Sequence, residues 1–195
     1  MAVVHDLGRY PPLQKLTDNW QKIRDEVARL RTDTLLPIDR ENKTHQQVHD
    51  EIVRGGKQGW VRAWGPTKDR WLNYGLMFRD DVVFDGIGVP FTASLLKHIR
   101  GVKVGALSLF RPGACLPVHD HPELGAEKLL TFHLPLLTDT PTHSFLSTDG
   151  QFVPERAGSG FVFDGAKPHF AFNCSNATRV ILYLEFSPEL LRWVA

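Results

Sequence analysis

The chain has 195 residues, 42% of them apolar and 23% charged, and a formal net charge of +1. That length suits one domain with a sizeable core. The balanced charge gives no electrostatic reason to expect nucleic acid or an anionic membrane as a partner.

No apolar run reaches transmembrane length. Met1 to Arg9 carries His5, Asp6 and Arg9 where a signal peptide would have an apolar core. Two cysteines, Cys115 and Cys174, make no disulfide framework. The expectation is a cytoplasmic protein in which each cysteine is a small buried hydrophobe.

After Pro11-Pro12, residues Leu13, Leu16, Trp20, Ile23, Val27 and Leu30 recur at helical spacing. Lys15, Asp18, Lys22 and Asp25 occupy the opposite face, so the spacing predicts one amphipathic helix ending near Arg31 to Asp33. Asp39 to Gly59 is polar and weakly periodic and reads as a loop with at most one helical turn. Trp60 to Trp64 and Trp71 to Phe78 read as the first strands, punctuated by Gly65-Pro66. Pro90 to Ile99 suits a short helix stopped by Gly101.

Strands dominate from there: Lys103 to Phe110, Lys128 to Leu136, His143 to Ser147, Gly160 to Asp164, Pro168 to Asn173 and Arg179 to Phe186. Turn clusters separate them at Arg111-Pro-Gly, Thr138 to Pro141, Thr148-Asp-Gly, Gly158-Ser-Gly and Asn173 to Ala177. The fold class expected is mainly β, a jelly roll or barrel, with N-terminal supporting helices packed outside the sheet. A single domain is expected, with helical support over roughly 1–100 and the β core over roughly 101–187.

Two histidines carry the chemistry. His119 follows a Pro-Gly turn, and His121 shares its side-chain parity if that backbone is extended. His169 shares a face with Ala171 and Asn173, leaving Phe170 and Phe172 for the other face. Imidazole is the commonest neutral metal ligand, and histidines converging with open positions suit Fe(II) or another divalent first-row metal, zinc included. Arg179 opens the last strand. If it points inward, its guanidinium needs a carboxylate. Glu185 or Asp164 would supply one internally; otherwise a ligand supplies it, with Ser108 adding a hydroxyl. His133 reads equally as a donor to that ligand or as a core histidine.

Taken in order, these residues resemble the aspartyl/asparaginyl β-hydroxylase family of Fe(II)- and 2-oxoglutarate-dependent dioxygenases. The match runs through Ser108, Pro112-Gly113, His119, Phe132-His133-Leu134, Gly160 to Asp164, His169, Asn173 and Arg179. The resemblance implies a double-stranded β-helix, a cupin-like jelly roll. It implies that His119 and His169 bind iron, and that Arg179 and Ser108 hold the distal carboxylate of 2-oxoglutarate with help from His133. O2 is then the second co-substrate, and a C–H bond of an amino acid, peptidyl residue or small molecule is hydroxylated.

The chain departs from the family where His119-Asp-His121-Pro122 replaces His-Thr-Gly-Pro. It departs again where Leu129 and Thr131 replace the basic residues that contact the substrate carboxylate. The prime-substrate site is therefore expected to be rebuilt, with Arg111, Glu127 and Lys128 as candidate contacts. His121 is a third ligand, a substrate contact or a solvated loop residue, with the last two preferred.

Two other readings stay open. A 2-oxoglutarate-independent metal cupin, a dioxygenase or isomerase, would use His119, His121, His169 and Glu127. A ligand-binding jelly roll would keep the pocket without turnover.

Overall fold

From Arg179 to Phe186 the side chains alternate: Val180, Leu182, Leu184 and Phe186 fall on one face of the strand, and Arg179, Ile181, Tyr183 and Glu185 on the other. The rest of the fold follows that parity. The computed structural model describes residues 4–139 and 143–194, apart from the side chain of Asp85. Thr140 and Pro141 of one expected turn lie outside the described residues.

In chain order the elements are β1 (Val4–His5), α1 (Pro11–Asp18), α2 (Trp20–Val27), α3 (His45–Gly55), β2 (Trp60–Arg62), β3 (Trp71–Phe78), β4 (Asp81–Val82), α4 (Pro90–Leu96) and β5 (Ile99–Arg100). Then follow β6 (Val102–Phe110), β7 (Cys115–His119), α5 (Pro122–Ala126), β8 (Leu130–Leu137), β9 (Ser144–Thr148) and β10 (Gln151–Pro154). β11 (Phe161–Phe163), β12 (His169–Asn173), β13 (Arg179–Phe186) and β14 (Arg192–Trp193) complete the chain.

An eight-stranded antiparallel sheet runs β1-β11-β8-β13-β6-β3-β2, with β4 paired to β3. A four-stranded sheet, β10-β9-β12-β7, covers one of its faces, and β14 pairs with β5. The result is the mainly β, cupin-like jelly roll expected from the sequence.

The outer face of the large sheet meets the helices. Leu72, Leu107, Leu109, Phe132, Leu134, Val162, Leu182 and Leu184 form one buried cluster with Leu13 and Leu16 of α1, Ile23 and Val27 of α2, and Leu96 of α4. The contact is close at Gly158, whose φ is +79° and where a methyl group would stand 2.5 Å from the Trp20 ring. Glu26 of α2 accepts hydrogen bonds from the Phe91 and Thr92 amides at 2.7 and 2.8 Å, tying α2 to the first turn of α4.

Several expectations need correction. The long first helix is two helices, because Asn19 breaks it: its side-chain amide donates to the Lys15 carbonyl at 2.8 Å and competes with the helical ladder. The presumed loop before Gly59 contains an eleven-residue helix, α3. Thr44 and Gln47 form a capping box there, Gly56 ends the helix at φ +61°, and Val48 and Ile52 are buried.

β7 and β10 are further strands, and the region expected as helical support over roughly 1–100 also supplies β1 to β4 of the main sheet. Gly101 lies beyond β5 rather than capping α4. Cys174 is exposed and Cys115 half-buried, not core residues. No described helix is long and apolar enough to cross a membrane.

Candidate metal centre and its pocket

The inner face of the large sheet is as buried as the outer one, yet it carries polar groups. Ser108, His133, Arg179, Tyr183 and Asn73 share a pocket between the two sheets with Trp71, Val104, Ala106, Phe110 and Ile181. The small sheet closes it with Leu116, His119, Leu146, His169 and Ala171.

His169 and His119 are direct cross-strand partners on β12 and β7, their ring centroids 4.2 Å apart. Side chains opposite one another in an antiparallel pair point to the same face, which is why residues fifty positions apart meet. The burial of β12 follows the expected alternation, with His169, Ala171 and Asn173 buried and Phe170 and Phe172 half-buried.

His121 joins them, half-buried, from the loop before α5, where it can serve as a third ligand or a substrate contact. One ligand nitrogen from each of His119, His121 and His169 lies within 4.8 Å of the others. Ligands bound to one first-row metal stand about 3–4 Å apart, so a small side-chain movement closes the set.

Each ring is oriented by its other nitrogen. Nδ1 of His119 faces the Pro117 carbonyl at 2.8 Å, and Nδ1 of His169 faces the Lys167 carbonyl at 2.8 Å. A carbonyl only accepts, so both Nδ1 atoms carry the proton and each Nε2 keeps its lone pair for a metal. Nδ1 of His121 lies 3.0 Å from the Glu123 carboxylate, which favours the same tautomer. Burial pushes His169 down to about 3 and lowers His119 as well, so both rings are neutral, as ligands must be. Trp64 packs edge-on against His119. The donor set fits a divalent first-row metal.

Arg179 is buried, and its guanidinium lies over the Phe110 ring, 4.5 Å from the centroid. Its anion is neither Glu185 nor Asp164 but Glu155, which follows β10. Arg179 Nε donates to Glu155 Oε2 at 2.6 Å, and NH2 donates to Oε1. Glu155 also takes His133 Nδ1 at 3.4 Å. Burial would raise the Glu155 carboxyl, but the Arg179 guanidinium and the hydrogen bonds outweigh it and hold the group down at about 2.

Glu185 instead accepts the Tyr183 hydroxyl at 2.7 Å, and Asp164 accepts the Ala166 amide. NH1 of Arg179 has no hydrogen-bond partner among the described residues. Ser108 Oγ accepts from Trp71 Nε1 at 3.0 Å, which leaves its own proton available to a ligand.

The three candidate substrate contacts are not brought together. Arg111 donates to the Thr32 carbonyl at 3.2 Å and lines neither the pocket nor the groove outside it. Lys128 sits in an exposed turn at φ +54° and also lines neither. Glu127 pairs with Lys103 at 2.5 Å on the groove wall, outside the histidine cluster. Sequence reasoning missed Glu155, Trp64, Arg40 and His45. Only His45, next to the Thr44 cap, had a local signal to place it.

The family model described as aspartyl/asparaginyl beta-hydroxylase matches residues 17–188. The ornithine lipid ester-linked acyl 2-hydroxylase of Rhizobium tropici is 33% identical over 197 residues, covering 96% of this chain. The chain spans 61% of that relative's length. Among solved structures, a Thermotoga maritima protein described as a predicted oxalate decarboxylase aligns with TM-score 0.40 at 15% identity, covering 60% of this chain and 80% of the other. The cupin domain of an Enterobacter cloacae XRE-family transcriptional regulator gives 0.41 at 17% identity, covering 61% and 98%. The two packed antiparallel sheets themselves define the jelly roll.

Proposed function

The chain belongs to the aspartyl/asparaginyl β-hydroxylase family, and from that premise we propose that it is an Fe(II)- and 2-oxoglutarate-dependent dioxygenase. It hydroxylates a C–H bond of an amino acid, a peptidyl residue or a related small molecule. The Rhizobium relative's name adds the ester-linked acyl group of an ornithine lipid to that class. The observation that carries the reading is the convergence of His119, His121 and His169, each with a proton-bearing Nδ1 and a free Nε2, in one pocket with Arg179 and Ser108.

Iron with 2-oxoglutarate and O2 supplies, when bound, the oxidising power to break an unactivated C–H bond. The protein's share is positioning. His119 and His169 are held by backbone carbonyls and present neutral donors. Arg179, fixed by Glu155, keeps NH1 for the distal carboxylate of the co-substrate, and Ser108 adds its hydroxyl proton. His133, with Nδ1 turned to Glu155, offers Nε2 to the same pocket. Val104, Ala106, Phe110, Leu116, Leu146 and Ile181 give apolar walls that keep water scarce.

The test is anaerobic titration with Fe(II) and 2-oxoglutarate, watching the visible charge-transfer band of their complex. The expected result is a band in the wild type that is absent in His169→Ala, with 2-oxoglutarate affinity lost in Arg179→Ala. Iron binding without a band would overturn the reading. A co-substrate-free metal cupin would then be favoured, for which the convergence of His121 is the specific support. Its acidic ligand would have to be something other than Glu127.

A further inference from the structure

Arg179 already has a carboxylate of its own. Glu155 accepts from its Nε at 2.6 Å and from its NH2 as well, and both side chains are buried. The Glu155 carboxyl is held down at about 2, so the pair is ionised and its net charge is zero. The resemblance gives Arg179 a single carboxylate, that of 2-oxoglutarate; the structure supplies a different one first. Two carboxylates on one guanidinium repel each other across a poorly polarisable interior. The second gains hydrogen bonds there but little net attraction.

No further permanent charge makes up the difference at that end of the pocket. Trp71, Phe110 and Arg179 form one cross-strand row, and Asn73, Ser108 and Ile181 form the next. Arg40, the other guanidinium of the lining, belongs to the wall shared with the outer groove. His133 turns Nδ1 to Glu155, and burial lowers it towards its neutral form.

What the far end does offer is hydrogen bonding. NH1 of Arg179 has no partner among the described residues, and Ser108 has its proton free. The Asn73 side-chain amide, next to Ser108 in its row, also has no partner among the described residues. These groups can donate to a carbonyl oxygen whether or not it carries charge.

We propose that Glu155 determines co-substrate specificity. By neutralising Arg179 it makes the far subsite read hydrogen bonds rather than charge, so that 2-oxo acids with an uncharged carbonyl at the far end bind alongside 2-oxoglutarate. This rests on the oxygenase reading and widens its co-substrate class. Glu155 acts through Arg179, since it grips the guanidinium without lining the pocket itself.

The test is anaerobic titration of the iron-loaded protein with two 2-oxo acids, following the charge-transfer band. One is 2-oxoglutarate; the other carries a methyl ketone in place of the far carboxylate. Wild type should prefer 2-oxoglutarate by less than about tenfold, the factor that separates a neutral from a charge-assisted hydrogen bond. Glu155→Gln keeps the shape and removes the charge, so Arg179 regains its attraction for an anion. In that variant 2-oxoglutarate should bind about tenfold tighter and the ketone within about twofold of wild type.

A wild-type preference of about tenfold or more overturns the proposal, whether or not the variant folds. So does a Glu155→Gln protein of intact fold whose preference does not rise. Weaker binding of both acids by that variant would show that Glu155 only holds Arg179 in place. If the wild type gives no band with either acid, the oxygenase reading fails on its own. The charge preference is then measured calorimetrically with glutarate and its methyl-ketone analogue, and the same two criteria decide it.

Discussion

The two faces of the large sheet are built from the same strands, one residue out of phase, and both are buried. On β13, Val180, Leu182, Leu184 and Phe186 meet the helices and give an apolar core. Arg179, Tyr183 and Glu185, alternating with them, meet the pocket or its polar rim. An antiparallel sheet usually leaves its polar face to water. Here a second sheet covers that face, so every polar group on it needs a partner inside the protein or in a ligand. Buried alternation with charge on one parity therefore marks a site, whereas the apolar parity marks packing.

The contrast can be broken most sharply at Glu155. Glu155→Ala leaves Arg179 and His133 buried without their anion and should cost about 3–5 kcal/mol in denaturant unfolding. The double variant Glu155→Leu/Arg179→Met should recover most of that stability while losing the charge-transfer band. Full recovery of both would show that the pair serves neither stability nor binding.

On the other face, Leu182→Ala should cost about 2–5 kcal/mol by leaving a cavity, with iron affinity unchanged once the protein is folded. A loss of affinity there would mean that the two faces are coupled.

Acid should separate them too. The folded Glu155 carboxyl, at about 2, lies below its ordinary value of 4.5. Its contribution is therefore present above pH 4.5 and is lost as pH falls towards 2. Unfolding free energy should fall across that window in the wild type and fall less in the double variant. The smallest effect expected is at the Thr44 cap, where Thr44→Ala should cost about 1 kcal/mol by thermal melting. It should leave iron binding untouched.

Much of this was legible in the residues. Strand parity at β12 and β13 places His169 and Arg179 on inward faces, and His119 after its Pro-Gly turn stands out as a candidate metal ligand. What was not legible has physical causes. Thr44 and Gln47 carry a capping signal, but the polar composition around them hides the short apolar stripe of Val48 and Ile52. Asn19 looks like one more polar position on a helix, and only its bond to the Lys15 carbonyl shows the break. Glu155 sits among Pro154, Arg156 and glycines, a setting that reads as surface turn.

By itself, then, the sequence determined the local quantities: the period of each strand, which parity is apolar, the caps, and the histidines able to bind a metal. These depend on neighbours a few residues away, so the pattern suffices. Only the tertiary structure decided the pairings. It set Glu155 against Arg179 and brought His121 to the other two histidines. Electrostatic partners are chosen by distance in space, and a carboxylate twenty-four residues away along the chain carries no local mark of the guanidinium it will meet.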